Sequence, residues 1–130
     1  MNIAVDASAF LAIYLEEAEG PSFEAFIVGA ERKVMSPVNY WEVMERVRIL
    51  FGRGGVAEVE TLFKSLGIAI EPVTEIQARA AVDASGRFGK GHPAKLNMGD
   101  CFAYALSRTT GAPLLFKGND FPQTDISVAL

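Results

Sequence analysis

The 130 residues predict a single α/β domain spanning 1–130, with a central, mostly parallel sheet of four to five strands flanked by helices. Two observations predict it. Short apolar runs recur along the chain, and the segments between them carry apolar residues at helical spacing. Half of the residues are apolar, ample for a core at this length, with some left over for a partner surface.

Asn2 to Val5 reads as a buried strand, ending at Asp6-Ala7-Ser8 with two N-cap candidates. A helix follows from about Ser8 to Glu17, with Phe10, Leu11, Tyr14 and Leu15 at helical spacing. Gly20-Pro21 breaks the chain and starts a second helix to about Ala30, because proline suits the first helical position. Lys33 to Met35 is a short strand. Ser36-Pro37 opens a long helix to about Phe51, and Gly52-Arg53-Gly54-Gly55 is a hinge before a helix from Val56 to Leu66. Ile68 to Ile70 is a third strand, and Thr74 to about Arg87 a helix with Thr74 and Gln77 spaced as a capping box. A Gly-rich basic loop occupies Gly86 to Lys95. A last helix runs from Asn97 to about Thr110. Ala112 to Phe116 is the fourth strand, and Asp125 to Val128 a candidate fifth at the edge.

Charge and composition exclude several functions. A net charge of −4 argues against a broad basic face for duplex binding, though not against a local basic patch. The single cysteine, Cys101, allows no internal disulfide and reads as a small core residue. The single histidine, His92, removes His-rich zinc sites. Asp6 interrupts the N-terminal apolar run, so no signal peptide is expected, and no run is long enough to span a bilayer. A soluble, cytoplasmic protein is expected.

Four acids stand out: Asp6, Glu42, Asp100 and Asp120. Ligands of a parallel sheet bind beyond the carboxyl ends of its strands. Asp6 directly follows the first strand, and Asp120 follows the fourth by a few residues. Asp100 is in the first turn of a helix leading into a strand, and Glu42 in the second turn of a helix leaving one. All four therefore fall along one rim. Each also has a plainer reading. Asp6 reads as an N-cap, Glu42 as a solvated residue beside Asn39, Glu45 and Arg46, and Asp120 as a turn residue. Asp100 fits as the N3 partner of Asn97 in a capping box. If the four meet, carboxylates so clustered stay ionised only around a cation. An all-oxygen donor set selects Mg²⁺ or Mn²⁺, the ions of phosphoryl chemistry.

Val5-Asp6-Ala7-Ser8-Ala9, the helix carrying Glu42, Leu96-Asn97-Met98-Gly99-Asp100-Cys101-Phe102-Ala103-Tyr104-Ala105-Leu106, and Leu115-Phe116-Lys117-Gly118-Asn119-Asp120-Phe121 resemble the PIN-domain ribonucleases. The resemblance is greatest to the VapC-type toxins of bacterial toxin–antitoxin pairs, and it covers the whole chain in order. It implies a PIN-like fold and a Mg²⁺- or Mn²⁺-dependent endoribonuclease acting on structured RNA such as tRNA or rRNA. It also implies a homodimer held in check by a cognate VapB-like antitoxin, whose C-terminal segment crosses the active-site groove. The metal-binding, catalytic acids of the family match Asp6, Glu42, Asp100 and Asp120, and Ser8, Asn97 and Asn119 match polar positions that orient them. One departure is visible: the loop Gly89-Lys90-Gly91-His92-Pro93 is a residue shorter than is common in such proteins. The reaction expected is in-line attack on an RNA phosphodiester by metal-activated water, leaving 5′-phosphate and 3′-hydroxyl ends.

Arg87, Lys90, His92 and Lys95 precede Asp100, and Lys117 precedes Asp120, where they can meet RNA phosphates or simply be solvated. The GXXG in Gly86-Arg87-Phe88-Gly89 is too short a match to imply a KH loop. Tyr14, Phe23, Phe26, Trp41, Met44 and Phe51 read as core or as a groove for an antitoxin helix. Two other readings compete: a non-catalytic partner-binding module of the same fold, and a receiver-like signalling domain. The receiver needs two acids after its first strand and a phosphoacceptor after a middle one. Here Asp6 stands alone and the third strand ends at Glu71-Pro72.

Overall fold

The computed structural model describes all 130 residues. Its frame is four short strands, β1 (Asn2–Val5), β2 (Arg32–Met35), β3 (Ile68–Ile70) and β4 (Leu114–Leu115), in the order β3-β2-β1-β4. Every pairing is parallel, with Ile3 beside Lys33, Val34 beside Ala69 and Val5 beside Leu115. Side chains alternate across the sheet and so feed two cores. Ile3, Val5, Met35 and Leu115 face a core shared with Phe10, Ile27, Val43, Val47 and Phe63, from helices α1 (Ala7–Tyr14), α2 (Gly20–Gly29) and α3 (Pro37–Leu66). Ala4, Val34 and Leu114 face a second core with Ala84, Phe88, Cys101, Tyr104 and Leu106, from α4 (Glu75–Phe88) and α5 (Met98–Thr110). No helix is long and apolar enough to cross a membrane.

The expected strands and helices are present, with differences in the first helix, at the hinge and around the last strand. The first helix begins at Ala7, capped by Asp6, one of the two N-cap candidates, whose carboxylate accepts from the Ser8 N–H at 3.0 Å. That helix ends at Tyr14, and Glu16 turns the chain at φ 55°. The hinge narrows to Gly52, whose φ of 69° and ψ of −155° no L-residue adopts easily. Arg53 to Gly55 stay helical, and Gly55 is a glycine for room: an added Cβ would lie 2.6 Å from Phe51 Cβ and 2.9 Å from Val47 Cγ1. The fifth strand is only a single parallel bridge between Leu114 and Val128. β4 is two residues long, and Asp125 is drawn off into side-chain bonds with Tyr104 and Arg87. A 3₁₀ turn without a sequence signal, Phe121–Gln123, follows Asp120.

Candidate active site

The carboxyl edge of the sheet gathers the four acids. Asp6 leaves β1 as the N-cap of α1 and is 4 % exposed. Its Oδ2 accepts from the Ser8 N–H and, at 2.6 Å, from the Ser8 hydroxyl, whose Oγ in turn accepts from the Lys117 N–H at 2.9 Å. Ser8 thus ties the exit of β1 to the exit of β4. Asp100 closes a full capping box: its Oδ2 accepts from the Asn97 N–H at 3.1 Å, and Asn97 Oδ1 accepts from the Asp100 N–H at 2.9 Å. Glu42, half-buried on α3, accepts from Asn39 Nδ2 at 2.8 Å. Asp120 and Asn119 are exposed on the loop after β4.

The carboxylates influence one another. Burial lifts the Asp6 carboxyl to about 6 against the hydrogen bonds from Ser8, and the Glu42 charge adds to the rise. Burial likewise lifts Asp100 to about 6; the Asn97 N–H opposes it, and the Asp6 and Asp120 charges reinforce it. Glu42 is raised by burial, restrained by the Asn39 amide, and pushed up by Asp100. Each acid therefore sits in the field of at least one other, the condition that a cation relieves. The donor set is all oxygen and fits a hard divalent ion. The grouping is open: no three His, Cys, Asp or Glu side chains are set to enclose an ion as they stand.

Two residues not evident from the sequence surround Glu42. Asn39, on the polar face of α3 by periodicity, is fully buried and also donates to the Gly99 carbonyl at 3.0 Å. Gly99 leaves space for the Glu42 carboxylate, since a Cβ there would fall 2.2 Å from Oε2. The available signal was the three-residue spacing of Asn39 and Glu42, which places them together on a helix.

The basic residues divide. Lys90 and Lys95 are exposed. Arg87 is bound to Asp125 at 3.1 Å and Asp83 at 3.6 Å. Lys117 pairs with Glu17 at 3.1 Å and Glu19 at 3.5 Å. His92 accepts from the Ala94 N–H through Nδ1 and sets its ring edge against Phe88, which shapes the loop. Of the aromatic set, Phe23 is core, while Trp41 and Phe51 are more than half exposed. A cleft of about 390 Å³ at the opposite, amino edge of the sheet holds none of the four acids.

A family model described as PIN domain matches residues 3–127. Ribonuclease VapC30 of Mycobacterium tuberculosis is 37% identical over 126 residues, covering 96% of each chain. Ribonuclease VapC of Mycolicibacterium smegmatis is 37% identical over 126 residues, covering 96% of this chain and 98% of that one. Among solved structures, Mycobacterium tuberculosis VapC20, described as a Sarcin-Ricin loop cleaving toxin, superimposes with a TM-score of 0.79 at 17% identity, covering 98% of both chains. A VapBC-1 structure from nontypeable Haemophilus influenzae gives 0.73 at 20% identity, covering 98% of this chain and 96% of that one. The two superpositions speak for the fold.

Proposed function

Because the chain belongs to the PIN-domain family, among relatives that are VapC ribonucleases, we propose that it is the toxin of a toxin–antitoxin pair and a divalent-metal-dependent endoribonuclease. The observation that carries the reading is the rim of four acids, three of them raised by burial and by each other's charge. Asp6, Glu42, Asp100 and Asp120 would hold Mg²⁺ or Mn²⁺. Such an ion, when bound, supplies Lewis-acid chemistry that lowers the pKa of water and neutralises phosphate charge.

The chain's own residues do the rest. Ser8 holds the Asp6 carboxylate through two bonds, and Asn97 holds Asp100 by the capping box, so two ligand directions are fixed before substrate arrives. Lys90 and Lys95, free on the loop before α5, meet RNA phosphates and offset the acidity of the rim. Asn119, exposed beside Asp120, matches the family position that would orient that carboxylate once an ion is bound. The substrate is a structured cytoplasmic RNA, tRNA or rRNA. The solved VapBC-1 structure supports a VapB-like antitoxin as partner. Exposed Trp41 and Ile49, eight residues apart and so on one side of α3, give it an apolar seat. Val82 and Met98, exposed beside a cleft between α4 and α5, suit the second copy of a homodimer.

Induction in a bacterium of the wild type beside Asp100→Asn tests the reading, since a cell supplies every candidate RNA. Arrest by the wild type alone is expected. Arrest by both would contradict catalysis and favour a non-catalytic binding module.

A further inference from the structure

We propose that Asn39 is a positioning residue of the acid rim: it clamps the Glu42 carboxylate against the first turn of α5 and so sets the spacing between Glu42 and Asp100. The inference rests on the reading of the rim given above and adds a residue to it. Asn39 is fully buried near the start of α3. Its one amide nitrogen donates in two directions, to Glu42 Oε1 at 2.8 Å and to the Gly99 carbonyl at 3.0 Å. A flipped amide would set oxygen against two acceptors, so the orientation is fixed by chemistry.

Two further observations give the arrangement a purpose beyond packing. Asn39 Oδ1 is buried without a partner. An unmet buried acceptor is unfavourable, and an apolar side chain of similar volume would avoid it. The site keeps the amide for its donor half, and that half serves Glu42. Opposite, Gly99 has no room for a Cβ because the Glu42 carboxylate lies there. Glu42 is therefore held from one side by Asn39 and admitted on the other by Gly99, one residue before Asp100.

The test is a double-mutant cycle with Asn39→Leu, Glu42→Gln and the pair. It is read on Mn²⁺ affinity by the free-ion electron paramagnetic resonance signal, on cleavage of total bacterial RNA, and on melting temperature in EDTA. Asn39→Leu should melt at or above the wild type, yet lose about 10–100-fold in Mn²⁺ affinity and cleavage rate. In the Glu42→Gln background, and more completely in Glu42→Ala, which removes the acceptor oxygen as well as the charge, the same substitution should change Mn²⁺ affinity by no more than about twofold. Equal losses in both backgrounds, or losses that only follow a lowered melting temperature, would overturn the proposal. If Asn39→Leu fails to fold, Asn39→Ala removes the same donor and carries the same prediction. A wild type that neither binds Mn²⁺ nor cleaves would bring down the proposed function and this inference with it. A wild type that does both, with Asn39 uncoupled from Glu42, would bring down the inference alone.

Discussion

Asp6→Asn should stabilise the metal-free protein at neutral pH. Asp6 is nearly inaccessible, and its carboxyl is raised from 3.8 to about 6. The folded state thus holds that proton more tightly than the unfolded chain. Stability is greatest below the unfolded value, falls as pH rises through the folded one, and is flat above it. At about 1.4 kcal/mol per pKa unit, the charged form costs the fold about 3 kcal/mol near neutral pH and only about half a kcal/mol near pH 4. Asparagine keeps an oxygen for the Ser8 N–H but weakens the bond from the Ser8 hydroxyl, an offset of about 1 kcal/mol. The net gain is about 2 kcal/mol, or roughly 5–10 °C in melting temperature. Thermal melts in EDTA at about pH 7.5 and about pH 4 measure it, and the advantage should vanish in the acid arm. Millimolar Mn²⁺ should raise the wild type and leave the variant nearly unmoved, by up to about 2.7 kcal/mol if the ion reaches a hundred times its Kd. A variant that melts below the wild type at neutral pH in EDTA, or a gap that does not change with pH, would refute the reasoning.

Two further outcomes are expected. Helix propensity alone would favour Gly99→Ala by about 1 kcal/mol, but its Cβ displaces the Glu42 carboxylate. Denaturant melts should therefore stay within about 1 kcal/mol of the wild type while Mn²⁺ affinity falls about 10–100-fold. Replacing Lys90 and Lys95 together by alanine should weaken RNA binding and reduce the salt dependence of log K by about 1 per lysine. Titrating RNA into each variant across ionic strengths measures this, and Arg87→Ala, whose guanidinium is already paired with Asp125 and Asp83, should change the slope less.

Much of this architecture was legible in the residues. Helical spacing and N-cap chemistry located the helices, and the position of each acid relative to a strand's carboxyl end put all four on one rim. The Asn97–Asp100 capping box was readable because it is local, spanning three residues. What escaped was long-range. Nothing around Asn39 in sequence says that its amide meets Gly99, 60 positions away. A polar residue beside Glu42, Glu45 and Arg46 looks solvated until the helices pack. Asp125 falls at the start of the candidate edge strand, and its partners Arg87 and Tyr104, on α4 and α5, are remote in sequence. Lys117 looked free for the same reason: Glu17 and Glu19 reach it only through the fold.

The chemistry of the cut ends tests the central claim most directly. Purified protein acting on total bacterial RNA, with Mg²⁺ or Mn²⁺ and with EDTA, should leave 5′-phosphate and 3′-hydroxyl ends only when the ion is present. Asp100→Asn should leave none. Ends carrying 2′,3′-cyclic phosphate, or cutting undiminished in EDTA, would contradict metal-dependent hydrolysis at the acid rim.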